Sequence, residues 1–168
     1  MTTPTPLPPL ISGSELAAYL ANPQDKRIAA VTEWVRGRCG WHIAPSVTET
    51  LTVDAVDTRV VALPSLHVTD VDEVTESGAT VDVEWNTAGL LRHPRRWSGR
   101  WRSVEATITH GYPTVPADLF KVIVESVLRL GAPGDQIMKK VGPFEVSEST
   151  FTYDELATID RYRILIGP

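Results

Sequence analysis

The residues able to do chemistry in this chain are scattered, and their spacing argues against most reactions. Four histidines, His42, His67, His93 and His110, follow neither an H-E-x-x-H pattern nor any other metal-ligand spacing. They read as surface or internally satisfied histidines. Ser65, His67 and Asp70 bring the hydrolase triad types into one short stretch. Neighbouring strand residues point to opposite faces, however, and the G-x-S-x-G elbow is missing. The sequence contains neither a G-x-x-x-x-G-K-[ST] loop nor a G-x-G-x-x-G turn, so nothing cradles a phosphate. Six carboxylates, Asp70, Asp72, Glu73, Glu76, Asp82 and Glu84, crowd an expected hairpin without calcium-loop order, as in a solvated face. The single cysteine, Cys39, can form neither an internal disulfide nor a thiolate cluster and reads as a small hydrophobe near a helix end. With no convergent set of nucleophile, base and electrophile, the expectation is a protein that is not an enzyme and has no catalytic residue, metal or cofactor.

Charge is more informative than motif. The segment "RHPRRWSGRWR", residues 92–102, holds five arginines and no acid, so a chain of net charge −5 carries −10 outside it. Residues 70–84 hold the six acids named above and no base. The basic segment admits three readings: an exposed loop, a nucleic-acid contact in which Trp97 and Trp101 stack between arginines, or a protein contact. The third suits a head-to-tail interface between copies, which closes into a ring when the rotation allows. On that reading Arg95, Arg96, Arg100 and Arg102 of one copy meet Asp72, Glu73 and Glu76 of the next. An overall acidic balance argues against a surface that attracts nucleic acid everywhere.

The elements that must carry these groups follow from hydrophobic period. Residues 1–11, with four prolines and three threonines, form a proline-rich arm with no core of its own. The following residues, 12–168, are expected to make one domain. Ser12 and Glu15 have capping-box spacing, and Asn22-Pro23 ends a short helix and opens the next. In that second helix Ile28, Val31, Val35 and Cys39 share a face, so helices occupy 12–39 and stop near Gly40. From Val47 the period becomes two. A run of strands fills 47–110, ending in Val104, Ala106 and Ile108 inward with Glu105, Thr107 and Thr109 outward. Pro116 begins a helix over 115–130 with an apolar stripe through Leu119, Val122, Ile123, Val127 and Leu130, widened by Val124 and Leu128. A loop and helix over 137–166 complete the chain, with Thr152 and Glu155 as a second capping box. The expected class is α+β, a small bundle of about four helices with an antiparallel β-sheet region inserted between its halves. The N-terminus has no basic, apolar leader and no window is long enough to span a bilayer, so a soluble protein made in the cytoplasm is expected.

In this order the blocks "ALPSLHVTDVDEV", "EWNTAGLLR", "SVEATITHGYPTVPADL", "VGPFEVS" and "IDRYR" resemble the head-to-tail connector, or adaptor, proteins of long-tailed double-stranded DNA phages, especially those of actinobacterial hosts. The resemblance spans residues 12 to 165, and "THGY" followed by "VPADL" is its most specific part. It implies a structural virion protein at the neck. Copies would form a ring, usually of twelve, beneath the portal protein, extending the DNA channel and offering a platform to the next head-completion (stopper) or tail protein. Another ring of the head-completion or tail-terminator kind is the nearest alternative. The resemblance also implies that the C-terminal part meets the portal, with Phe144, Phe151, Tyr153 and Tyr162 as anchors. DNA would pass without sequence-specific binding. A basic bore repeated by every subunit would hold the duplex, so an acidic or neutral lumen is expected, with the arginines at subunit contacts.

Overall fold

The computed structural model describes residues 8–19, 26–55, 57–130 and 146–165. It divides into two compact units, a helical unit of residues 1–45 and 114–168 and a β unit of residues 46–113. The insertion of sheets between helical halves, expected from the change of period, is what the chain folds into.

In the helical unit, α1 (Gly13–Leu16) is a single turn. It is opened by the Ser12–Glu15 box: Glu15 Oε2 accepts from the Ser12 backbone N–H at 2.8 Å, and Ser12 Oγ accepts from the Glu15 N–H at 3.3 Å. The hydrogen bonds from Ser12 hold the Glu15 carboxyl below its ordinary pKa. Helix α2 (Lys26–Cys39) buries Ile28, Val31, Val35 and Cys39, the face expected from spacing, and adds Thr32. The threonine hydroxyl is satisfied by the Ile28 and Ala29 carbonyls one turn back. Helix α3 (Ala117–Leu130) buries Leu119, Val122, Ile123, Val124 and Val127. Leu128, expected in the stripe, is 50% exposed, because it lies on the flank of the buried arc. After a 3₁₀ turn (Glu148–Thr150), α4 (Tyr153–Asp160) begins at the Thr152–Glu155 capping box. The proposed Asn22-Pro23 junction lies outside the described residues.

Ion pairs lock the helices to one another. Arg129 on α3 forks onto Glu155 on α4 at 2.6 and 3.1 Å. Burial pushes the Glu155 carboxyl up, but Arg129 and the Thr152 N–H outweigh it, and the group lies below its ordinary pKa. Arg38 on α2 forks onto Asp160 at 2.8 and 2.9 Å and also reaches Glu148. That pairing raises the Arg38 pKa and depresses the Asp160 carboxyl. At the N-terminus of α3, where the helix dipole favours an anion, Asp118 accepts from the Tyr162 hydroxyl at 2.7 Å and from Arg161 at 3.0 Å.

The β unit contains two antiparallel sheets. The first has four strands in the order β1 (Val47–Val53), β7 (Val104–His110), β3 (Val68–Glu76), β4 (Ala79–Thr80). The second has three in the order β2 (Val60–Ala62), β6 (Leu90–Arg92), β5 (Glu84–Trp85). Strand β7 alternates strictly, with Val104, Ala106, Ile108 and His110 buried, and it holds the centre of the larger sheet. On the outward face, threonine pairs directly opposite each other are hydrogen-bonded: Thr48 with Thr109 at 2.7 Å and Thr50 with Thr107 at 2.9 Å. Val61, Leu63, Val68, Val74, Leu91, Trp97, Val104, Ala106 and Ile108 make the core of the unit. Gly89 has φ of 78°, and a Cβ there would collide with the Ser65 carbonyl oxygen, so this turn needs glycine.

Candidate assembly surface

Strand β3 sets the acidic side of the surface. Its register with β7 shifts between Val68 and Asp70 and again between Val71 and Glu73. These bulges break the two-residue alternation, so that Asp72 and Glu73 are both exposed while Val74 returns to the core. Glu73 Oε1 accepts from the Thr80 hydroxyl at 3.3 Å. Glu76 is half-buried and engaged, accepting from the Ser98 backbone N–H at 2.6 Å.

That last bond joins the two charged segments, parts of which meet within one chain. Arg92 pairs with Glu84 at 2.8 Å across the β5–β6 register, and Arg96 pairs with Asp57 at 3.3 Å. Asp54 accepts from the Arg102 N–H at 2.7 Å and helps hold that residue at a left-handed φ of 51°. Among the described residues Arg95, Arg100 and Arg102 make no side-chain ion pair. All three are exposed.

The two tryptophans of the loop differ completely. Trp97 is 1% exposed, a core residue whose ring lies 5.0 Å from that of His93. It cannot stack on an external base, which corrects the idea that both interleaved tryptophans present their faces. Trp101 is 85% exposed. The loop is therefore anchored at Trp97 and displays Trp101 between Arg100 and Arg102. Nothing in the sequence pattern separates these roles, since both residues follow arginine or precede it.

In the helical unit, the aromatic anchors expected for a portal contact also separate. Phe151 is 6% exposed and stacks on Trp34 with centroids 4.5 Å apart. Tyr162 commits its hydroxyl to Asp118, and its carbonyl accepts from Trp41 Nε1 at 2.7 Å. Tyr153 is 85% exposed at the start of α4. Phe144 lies outside the described residues.

The residues singled out for chemistry have structural employment. Ser65 Oγ accepts from the His67 backbone N–H, Asp70 accepts from the Val71 N–H, and the His67 ring stacks on Tyr112 at 4.1 Å. His93 Nδ1 accepts from the Arg95 N–H, and His110 shares a 2.9 Å hydrogen bond with Glu49. His42 bonds the Pro45 carbonyl. Burial, helped by Asp160, pushes the Cys39 thiol up to about 12, so it is no thiolate at neutral pH. Among the described residues no group of three or more His, Cys, Asp or Glu is placed to hold a metal ion, and no helix is long and apolar enough to cross a membrane.

Sequence reading missed Arg36. Placed by its period away from the buried face of α2, its side chain is only 10% exposed. It donates to the carbonyls of Ala44 at 2.7 Å, Pro8 at 2.8 Å and His42 at 3.1 Å. Burial lowers the pKa of this guanidinium, opposed by Glu33.

A helical unit interrupted by a two-sheet β unit is a fold this chain shares with solved chains of a gene transfer agent particle. In particular, the chain is similar to one in the neck of the native gene transfer agent (GTA) particle computed with C12 symmetry, with a TM-score of 0.59 at 16% identity over 97% of this chain and 96% of that one. It is equally similar to a chain in the neck of the empty GTA particle computed with C6 symmetry, with a TM-score of 0.58 at 16% identity and the same coverage. A chain of the virion of the native GTA particle gives 0.53 at 17% identity, over 99% and 97% of the two chains. No family model and no curated sequence matches the chain.

Proposed function

We propose that the protein is a head-to-tail adaptor, a structural component of a virion neck without catalytic activity. It assembles in the host cytoplasm into a ring of its own copies beneath a portal protein, extends the DNA channel, and presents a platform to the next stopper or tail protein. One observation carries the reading: near-complete coverage by neck chains, one of them from a neck computed with C12 symmetry. The sequence resemblance, which rests on different information, points the same way. The displayed arginines and the exposed acids of β3 supply complementary charge for contacts between copies, and Tyr153 leads the proposed portal contact. DNA passes the lumen without sequence-specific readout. Burial of Trp97 removes half of the stacking platform that a nucleic-acid module would need and disfavours that alternative.

The test is to mix purified chain with the portal of its particle and count copies by native mass spectrometry and electron microscopy. A closed ring seated on the portal is expected. A ring that binds tail tube and ignores portal would instead make the protein a tail terminator. Particles assembled without the chain should fail to join tails and keep their genomes. If they are infectious, the proposal is wrong.

A further inference from the structure

The β unit holds a groove of about 390 Å³ between β3 and the strands that follow it. Its floor is apolar: Val71, Val81 and Val83 are half-buried and Trp85 is 39% exposed. Its rim carries Asp72, Glu73 and Asp82, all exposed, and the residues lining it include no base. An apolar trough with three carboxylates at its lip is built for an aromatic side chain flanked by cations. Such a group is displayed by the same chain: Trp101, 85% exposed, between Arg100 and Arg102, with Arg95 nearby in sequence.

We infer that the groove receives the Trp101 loop of a second copy of this chain. Charge complementarity selects this occupant. The three arginines of the loop that make no ion pair among the described residues answer the three rim carboxylates, whereas Arg92 and Arg96 are already paired with Glu84 and Asp57. Trp101 does not fill the groove of its own chain, as its exposure shows. Knob and groove are different patches, so the contact is heterologous and each copy offers both halves, as a ring requires. This deepens the neck-ring reading and rests on it for the identity of the occupant. It also changes the expected contact: Asp82 replaces Glu76, which is engaged by Ser98, and an aromatic anchor is added.

The experiment places a photo-reactive benzoylphenylalanine at position 101 of the full chain and illuminates it at low salt. Cross-linked peptides are mapped by mass spectrometry, and the size of the wild-type assembly is measured in parallel by native mass spectrometry and electron microscopy. Cross-links from position 101 into residues 71–85 of a second copy are expected, with yield falling as salt rises. Trp101→Ala should raise the concentration for half-assembly roughly tenfold or more, the effect of losing an interface anchor. Asp72→Arg with Asp82→Arg should abolish the cross-link while far-UV circular dichroism stays unchanged. Cross-links mapping elsewhere, within otherwise intact rings, would overturn the groove and leave the neck ring standing. Groove cross-links in assemblies that never close would keep the groove and remove the ring. A chain that stays monomeric and uncross-linked at millimolar concentration even with its portal present would end both.

Discussion

Replacing Arg36 by methionine separates a structural hub from a surface charge. Methionine keeps much of the apolar stem and removes every donor. The carbonyls of His42 and Ala44, residues only 4% and 1% exposed, then lose their charged partner. The His42 carbonyl still accepts from the Ala44 N–H at 3.0 Å, so the buried acceptor left unmade is the Ala44 carbonyl, at about 1–3 kcal/mol, with the half-buried Pro8 carbonyl adding less. Against this, the variant no longer desolvates a cation, a penalty visible in the lowered pKa of Arg36. The net expectation is a loss of about 2 kcal/mol, a sizeable share of the roughly 5–15 kcal/mol that holds a typical domain folded. In urea, with a slope of about 1–3 kcal/mol per molar, the midpoint should fall by about 0.7–2 M. The assay is equilibrium unfolding followed by circular dichroism and by labelling of Cys39, which lies on the same helix and is fully buried. Arg36→Lys should fall between the two, since one ammonium cannot span the fork of carbonyls. A shift below about 0.3 M for Arg36→Met would refute the hub, because a rim charge would give that much.

Acid should loosen the helical unit. Glu155 and Asp160 have folded-state pKa values below their unfolded ones, so their contribution is complete above the unfolded values of about 4.3 and 3.9. It is lost as pH falls through the depressed folded values. Stability measured from pH 6 to pH 2.5 should therefore decline more steeply in the wild type than in Glu155→Gln, which begins lower. Gly89→Ala should cost about 2 kcal/mol or more by thermal unfolding, because a positive φ and the Ser65 carbonyl both oppose a methyl group. Cys39 should resist a thiol reagent at pH 8 in native buffer and react within minutes in urea. Rapid native labelling would contradict its raised pKa and burial.

The sequence by itself determined the α+β class, the insertion of strands between helical halves, both capping boxes and the inward faces of α2 and β7. These are local: the period of apolar residues and the spacing of a cap are written in neighbouring positions, and burial follows them. It also showed that the titratable residues fit no catalytic spacing. Tertiary structure alone decided the rest. Trp97 and Trp101 stand four apart in one arginine-rich segment, and only the packing of Leu91, Val104 and their neighbours makes the first a core residue and leaves the second displayed. Two bulges in β3, invisible in the alternation, turn Asp72 and Glu73 outward together. Arg36, Arg38 and Arg129 find their partners only when the fold brings distant carbonyls and carboxylates to them. A charge reveals in sequence that it needs a partner or water, but which of the two it finds depends on contacts between residues far apart in the chain.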